Sequence, residues 1–278
     1  MTRPKLSRRG MLAAVMSAVM LPKAARAERR LAANEHFEIT HPELFIPGLN
    51  PAHDGLKIGQ LSDIHIGRGS PDGRVIAAVR ILNDENPDLV MLTGDYVTTK
   101  RDPYDRVPDL LRGIEAPVYA VMGNHDHYTD APLLRKKLEG IGYTVLQNEH
   151  SVLRIKGSDF TVLGVDDCTT HHDDVELTFK GKPKGSRLVL AHTPTGANKL
   201  PPWEGLLCLS GHTHGGQVHV PRLTEGLFSR AGQPYIRGHY AVRGNQLYVN
   251  RGLGFGRGTA LPRVDSEPEL TIFTLRAV

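Results

Sequence analysis

Cysteine is nearly absent, with only Cys168 and Cys208 in 278 residues. Two thiols could make a single bridge outside the cytoplasm, but they are no framework for a fold of this size. No structural dependence on a disulfide is expected. The apolar stretch from Met11 to Leu21 is far too short to span a bilayer, which takes about 20 residues. Internal repeats and low-complexity tracts are missing, and no nucleophile motif of a serine or cysteine hydrolase is present. What remains is a chain with 40% hydrophobic and 23% charged residues, the composition of one ordinary globular domain.

The charge balance depends on the first 27 residues. Arg3, Lys5, Arg8 and Arg9 form a basic segment, the apolar stretch follows, and Ala25-Arg26-Ala27 supplies a small-x-small cleavage pattern. Ser7-Arg8-Arg9-Gly10-Met11-Leu12 resembles a twin-arginine (Tat) export signal. The alternatives are a short basic, apolar N-terminal tail and an uncleaved anchor. This segment holds six basic residues and no acidic one, so its removal leaves 28 basic against 30 acidic residues, about −2. The basicity of the whole chain therefore belongs to the export signal, and nothing global calls for nucleic acid as a partner. The signal implies export by the Tat machinery in a folded state, to the periplasm or the outer face of the cytoplasmic membrane, with peripheral membrane contact left open.

The chain divides into the signal (1–27), a polar, proline-punctuated lead-in (28–54) and one domain (55–278). From Leu56 the pattern is strand, loop, helix, strand. Leu56–Leu61, Leu89–Thr93 and Val118–Met122 read as strands, the second a near-continuous apolar run buried on both sides. Ser70-Pro71-Asp72 reads as a helix start with Ser at the cap and Pro at the first helical position. That helix runs to about Asn83, and others cover Tyr104–Arg112 and Ala131–Glu139. Beyond Gly142 strands dominate: Val145–Gln147, Ser151–Lys156, Phe160–Val165, Leu188–Ala191, Leu206–Leu209, Val218–Val220, Leu247–Asn250 and Leu270–Leu275. An alternating β/α first half and a strand-rich second half predict an α/β fold of two packed mixed β-sheets flanked by helices.

The acidic and imidazole residues fall in a telling pattern. Asp63 and His65 follow the first strand, Gly94-Asp95 the second, and Gly123-Asn124-His125-Asp126 the third. His192 follows Leu188–Ala191, and Gly211-His212-Thr213-His214 follows Leu206–Leu209. All five motifs sit at the carboxyl ends of predicted strands, the edge where α/β sheets bind ligands. Glycine precedes three of them, as expected where the backbone turns sharply. Carboxylate, imidazole and amide donors without thiolate suit Mn, Fe, Zn, Co or Ni and disfavour the thiolate sites of structural zinc. Seven or eight such donors are too many for one ion and suit two ions sharing a bridge.

In order, these motifs resemble those of the calcineurin-like metallophosphoesterases, from about residue 55 to the C-terminus. The resemblance implies the four-layer sandwich of that superfamily and a dinuclear centre. One ion would be held by Asp63, His65, Asp95 and His214, the other by Asp95, Asn124, His192 and His212. His125 would be the catalytic imidazole, protonating the leaving oxygen, with Asp126 orienting it. Gly94-Asp95-Tyr96-Val97-Thr98 lacks the further Asp and Arg-Gly of protein Ser/Thr phosphatases, and Asp126 stands where those carry Glu. The run from His212 to Gln217 and Arg251-Gly252-Leu253-Gly254 resemble the bacterial envelope phosphodiesterase branch instead.

The expected function is hydrolysis of a phosphodiester or pyrophosphate bond in an envelope, lipid-linked or nucleotide-type substrate, by attack of a metal-bridging hydroxide. The alternatives are an exported phosphomonoesterase and a non-catalytic metal-binding envelope protein. His127 reads either as a substrate contact or as an exposed loop residue. His171 and His172 read as a solvated loop in preference to a third metal site, and Trp203 reads as packing in preference to a lipid or sugar platform. The glycine-rich stretch Asn250 to Gly258, with Arg251 and Arg257, could cradle a phosphate.

Overall fold

A computed structural model describes residues 36–278 apart from 68, 182–184 and 257–262. The segment read as an export signal, the first part of the lead-in, Arg257 and Gly258 lie outside the described residues. Among those described, no helix is long and apolar enough to cross a membrane.

Two mixed sheets pack face to face. The first contains β1 (Glu38–Thr40), β2 (Glu43–Ile46), β3 (Leu56–Leu61), β4 (Leu89–Leu92), β5 (Val118–Ala120), β6 (Thr144–Val145) and β13 (Glu269–Ala277), in the order β1-β13-β3-β4-β5-β6 with β2 also on β13. The strands β3 to β6 run parallel, and β13 lies antiparallel to β3 with Phe273 opposite Ile58. Part of the lead-in thus forms sheet, pairing parallel to the last strand.

The second sheet contains β7 (Glu149–Ile155), β8 (Ser158–Val165), β9 (Ser186–Ala191), β10 (Leu207–Ser210), β11 (Gly238–Val242) and β12 (Asn245–Val249), in the order β11-β12-β10-β9-β8-β7. Its inner four strands run parallel and its two edges antiparallel.

Side-chain alternation along each strand builds two cores. Leu188, Leu190, Leu207 and Leu209 face Leu56, Ile58, Leu89 and Met91 between the sheets. Their neighbours Val189, Ala191, Leu206 and Cys208 turn outward onto Phe179 and Ala197. The outer face of the first sheet is covered by α1 (Asp72–Asp84), α2 (Arg106–Leu111) and α4 (Ala131–Glu139), through Val75, Val79 and Leu82, Val107 and Leu111, and Leu134 and Leu138. On the far side lie α5 (Val175–Phe179) and a 3₁₀ turn at Pro194–Lys199. The result is the expected four-layer α/β sandwich. Both thiols are free, with Cys208 buried.

Several local expectations change. Pro71 is itself the N-cap of α1, in extended conformation, and no side chain caps the helix. Gly123-Asn124-His125-Asp126 is not a strand-end loop, since Asn124 opens a short helix, α3 (Asn124–Thr129). The segment Val218–Val220 is not a strand, and only Val218 bridges to Val264. Its apolar–polar–apolar alternation is inverted, for His219 is buried and both valines are exposed. It leads into α6 (Leu223–Arg230), which the sequence pattern did not announce.

Candidate metal centre

Both sheets deliver their functional residues at carboxyl strand ends. Asp63 and His65 lie just past β3, Asp95 past β4, Asn124 past β5, His192 directly after β9, and His212 and His214 past β10. Asp63, His65, Asp95 and His192 are wholly or almost wholly buried, with Asn124 and His214 nearly so. Asp63, His65, Asp95, His212 and His214 all take left-handed backbone, with φ between 47° and 71°. Asp and His tolerate that region better than most residues, yet each instance costs about 1–3 kcal/mol. Five such residues at one point mark a place where the fold is bent to aim side chains.

Two of the glycines before the motifs serve space, not the turn. Gly94 has φ +89°, as a sharp turn requires. A Cβ on Gly123 would overlap the Asp95 carboxylate, and one on Gly211 would overlap Ser62 Oγ and Asp63 Oδ2.

The acceptor atoms converge. His65 Nε2 lies 3.2 Å from His214 Nε2 and 3.7 Å from Asp95 Oδ2, and His214 Nε2 lies 3.4 Å from Asp63 Oδ1. On the other side of Asp95, His192 Nε2 is 3.3 Å from Asp95 Oδ2, 3.1 Å from Asn124 Oδ1 and 3.3 Å from His212 Nδ1. His212 Nδ1 is 2.8 Å from Asn124 Oδ1. Among the described residues, the His, Cys, Asp and Glu groups close enough to share an ion are Asp63–His65–His214 and Asp63–Asp95–His192.

Tautomers support a cation here. His192 Nδ1 is 2.7 Å from the Thr93 carbonyl, which only accepts, so Nδ1 carries the proton. Nε2 then faces a carboxylate and an amide oxygen, a position that a proton fills in the metal-free chain and that a cation can take. Lone pairs facing lone pairs are repulsive until a cation sits between them, and imidazoles so braced are the usual metal ligands. His214 differs, because Arg263 Nη2 lies 3.0 Å from its Nδ1. Ligation through His214 Nε2 therefore requires the Arg263 guanidinium to give up that contact.

Burial sets most of the titration behaviour. It lifts Asp63 to about 6 and, with Asp95 adjacent, Asp126 to about 7. It lowers His65 and His212 to about 4 and His214 well below the usual imidazole range. Asp95 goes the other way: its burial disfavours charge, but His192 and His65 hold it well below ordinary carboxylates. Burial works against the His192 imidazolium too, yet Asp95 raises it well above the usual value. The protons in this cluster occupy positions that metal ions would take.

His125 stands at the rim, half-buried, with its ring edge-on to His65 at 5.2 Å between centroids. The expected contact from Asp126 is replaced. His125 Nδ1 lies 3.0 Å from the Thr98 carbonyl, while the buried Asp126 carboxylate accepts the backbone N–H groups of Asp95, Tyr96 and Gly123 at 2.8–2.9 Å. The reason is placement: Asp126 is the third residue of α3 and turns under the helix start, beneath the Asp95 loop.

Thr98 also meets His65, its Oγ1 3.0 Å from Nδ1. Neither Thr98 nor Arg263 was legible as a site residue, since a backbone carbonyl has no sequence signature and Arg263 lies 49 residues beyond His214. Ser62, whose hydroxyl donates to Asp63 Oδ2 at 2.5 Å, was adjacent to a motif but unremarkable by type.

The remaining candidates are tied elsewhere. His127 is not an exposed loop residue, for it lies in α3, held by Asp166 at 2.7 Å and stacked on His172 at 4.0 Å. Arg251 is bound by Glu269 and Glu38, so its guanidinium is not offered to a phosphate. Trp203 is 83% exposed and does not pack into the core.

A two-sheet sandwich that gathers carboxylate, amide and imidazole groups at its strand ends defines a metal-dependent phosphoester hydrolase. The chain belongs to the calcineurin-like phosphoesterase family, whose model matches residues 56–216. It is 31% identical to the uncharacterized metallophosphoesterase YkuE of Bacillus subtilis, over 98% of this chain and 99% of that protein. It is 31% identical to the phosphodiesterase YaeI of Escherichia coli, over 79% and 82% of the two chains. The UDP-2,3-diacylglucosamine pyrophosphatase LpxG of Chlamydia trachomatis is 24% identical over 78% and 83%. The chain is thus a phosphoric ester hydrolase that works with two divalent metal ions.

Proposed function

We propose that this hydrolase cleaves phosphodiester or pyrophosphate bonds of a lipid-linked or nucleotide-type substrate at the cell envelope, after Tat export. The observation that carries the reading is Asp95, whose Oδ2 faces His65 on one side and His192 on the other. Asp63, His65, Asp95 and His214 would hold one ion, and Asp95, Asn124, His192 and His212 the second, with Asp95 shared. When bound, the pair would supply the positive charge that activates water and steadies the phosphoryl oxygens.

The chain's own residues do the rest. His125 keeps its Nδ1 proton on the Thr98 carbonyl, which makes Nε2 the atom that delivers a proton to the departing oxygen. Asp126 fixes the loop of the shared ligand through three backbone N–H groups. The diester and pyrophosphate preference is supported by the relatives named for such activities, and the envelope location by the N-terminal segment.

The test is hydrolysis of an aryl phosphodiester and the matching monoester by metal-stripped protein given Mn²⁺, Zn²⁺ or Mg²⁺ separately. Metal-dependent cleavage favouring the diester supports the reading. A monoester preference makes the chain a scavenging phosphatase, and tight metal binding without turnover makes it a binding protein.

A further inference from the structure

A helix with two exposed leucines on one face lies beside the metal centre. A surface helix of a water-soluble fold turns its apolar stripe inward. In α6 the inward side carries Thr224, buried, and Phe228, half-buried, while Leu223 and Leu227, four apart and on one face, point outward.

Polar contacts hold the start of the helix. Thr224 Oγ1 takes the Val220 N–H at 2.8 Å and donates to the Val218 carbonyl at 3.3 Å. Glu225 reaches the buried His219 ring at 3.0 Å, and Asp265 meets the opposite ring nitrogen at 2.9 Å. These bonds bring Val218, Val220 and, through its bridge to Val218, Val264 alongside the helix. The five apolar side chains are between 37% and 59% exposed. A cluster of that kind on a soluble fold marks an interaction surface.

Two features select its occupant. The charged side chains at the helix ends are Arg222 and Arg230, both exposed and neither in an ion pair among the described residues, whereas Glu225 and Asp265 are engaged by His219. Apolar side chains flanked by free arginines complement an anionic lipid interface, where leucines enter the acyl boundary and arginines meet phosphates. The surface is also continuous with the catalytic edge, since Val218 follows His214 by four residues and Arg263, the neighbour of Val264, contacts the His214 ring.

We infer that Val218, Val220, Leu223, Leu227 and Val264, flanked by Arg222 and Arg230, dock the enzyme on an anionic phospholipid surface, with the metal centre opening at the headgroup level. A bilayer within reach of this face presupposes the export proposed above.

The experiment is co-sedimentation of the full-length, metal-loaded protein with vesicles of phosphatidylglycerol and phosphatidylcholine in equal parts, or of phosphatidylcholine alone. Leu223→Asp/Leu227→Asp and Arg222→Gln/Arg230→Gln are compared with the unaltered chain. The expected result is preferential binding to anionic vesicles, reduced about tenfold or more by the leucine pair and about fivefold per arginine by the second pair.

Each sample is also assayed on a soluble aryl phosphodiester without vesicles, where both variants should keep the unaltered rate. Equal vesicle binding by all three proteins overturns the inference. So does a dimer that the leucine pair converts to monomer without any change in vesicle binding, which would give the face to a second copy. Loss of diester turnover in every sample, with vesicle binding intact, would instead overturn the phosphodiesterase reading and leave the docking surface standing.

Discussion

The Asp126 carboxylate accepts the Asp95 backbone N–H at 2.8 Å and the Tyr96 N–H at 2.9 Å, so it shapes the loop of the shared ligand and not the catalytic imidazole. Hydrogen bonds to a buried charged acceptor are worth about 1.5–3 kcal/mol. Asp126→Asn keeps the size but turns an N–H₂ donor toward backbone donors. The expected outcome is a thermal midpoint lowered by several degrees and reduced metal content, read by calorimetry and elemental analysis. A variant that kept full metal content and lost only rate would return Asp126 to the role of orienting His125.

Asp95→Asn should remove the charge that both halves of the centre share. We expect both ions to be retained poorly and turnover to fall by more than about 100-fold, beyond the 10–100-fold typical of outer partners. Loss of a single ion with the other held at full occupancy would contradict the shared position.

His125→Ala should separate chemistry from metal binding. A general acid contributes about 10²–10⁴-fold, so the rate should drop within that range while metal content stays unchanged. Because a good leaving group needs little protonation, the defect should be smaller for substrates that carry one. A wild-type rate with a poor leaving group would dismiss the assignment.

Metal uptake should depend on pH in two stages. Asp63 must be ionised to ligate, and burial holds it near 6, so affinity of the site built on Asp63, His65 and His214 should climb about tenfold per pH unit up to about 6 and then level. His65, lowered to about 4, is already neutral in that window. His192 is raised well above the usual imidazole value, so uptake at its side should continue to strengthen at higher pH.

The same shifts set the sign for the metal-free fold. The raised Asp63 contributes stability present below about 3.8 and lost as pH rises through about 6. The lowered His65 contributes stability present above about 6.5 and lost as pH falls through about 4. Titration calorimetry across pH 5 to 8.5 that gave one pH-independent affinity would refute this assignment of protons.

Much of the site was legible in the chain itself. Short apolar runs ending in Asp63-x-His65, Gly94-Asp95, Asn124-His125, His192 and His212-x-His214 announce their own placement, because a strand delivers the residues just beyond its carboxyl end to the sheet edge. The near-continuous apolar run Leu89–Thr93 likewise foretold burial on both faces, and Leu89 to Thr93 are all buried. The Val218–Val220 segment shows where that logic fails, since the same alternation arises when a histidine is drawn inward by carboxylates six and 46 residues away.

The sequence by itself determined the donor types, their order and the strands that carry them, since these depend on local pattern and side-chain chemistry. Only the tertiary structure decided which partners brace the donors. Thr93 and Thr98 act through backbone carbonyls that any residue would supply, and Arg263 reaches His214 across 49 residues. It also decided that α6 turns Leu223 and Leu227 to solvent, because the direction a short helix faces depends on the contacts made at its start by Thr224 and Glu225 and not on its own periodicity alone.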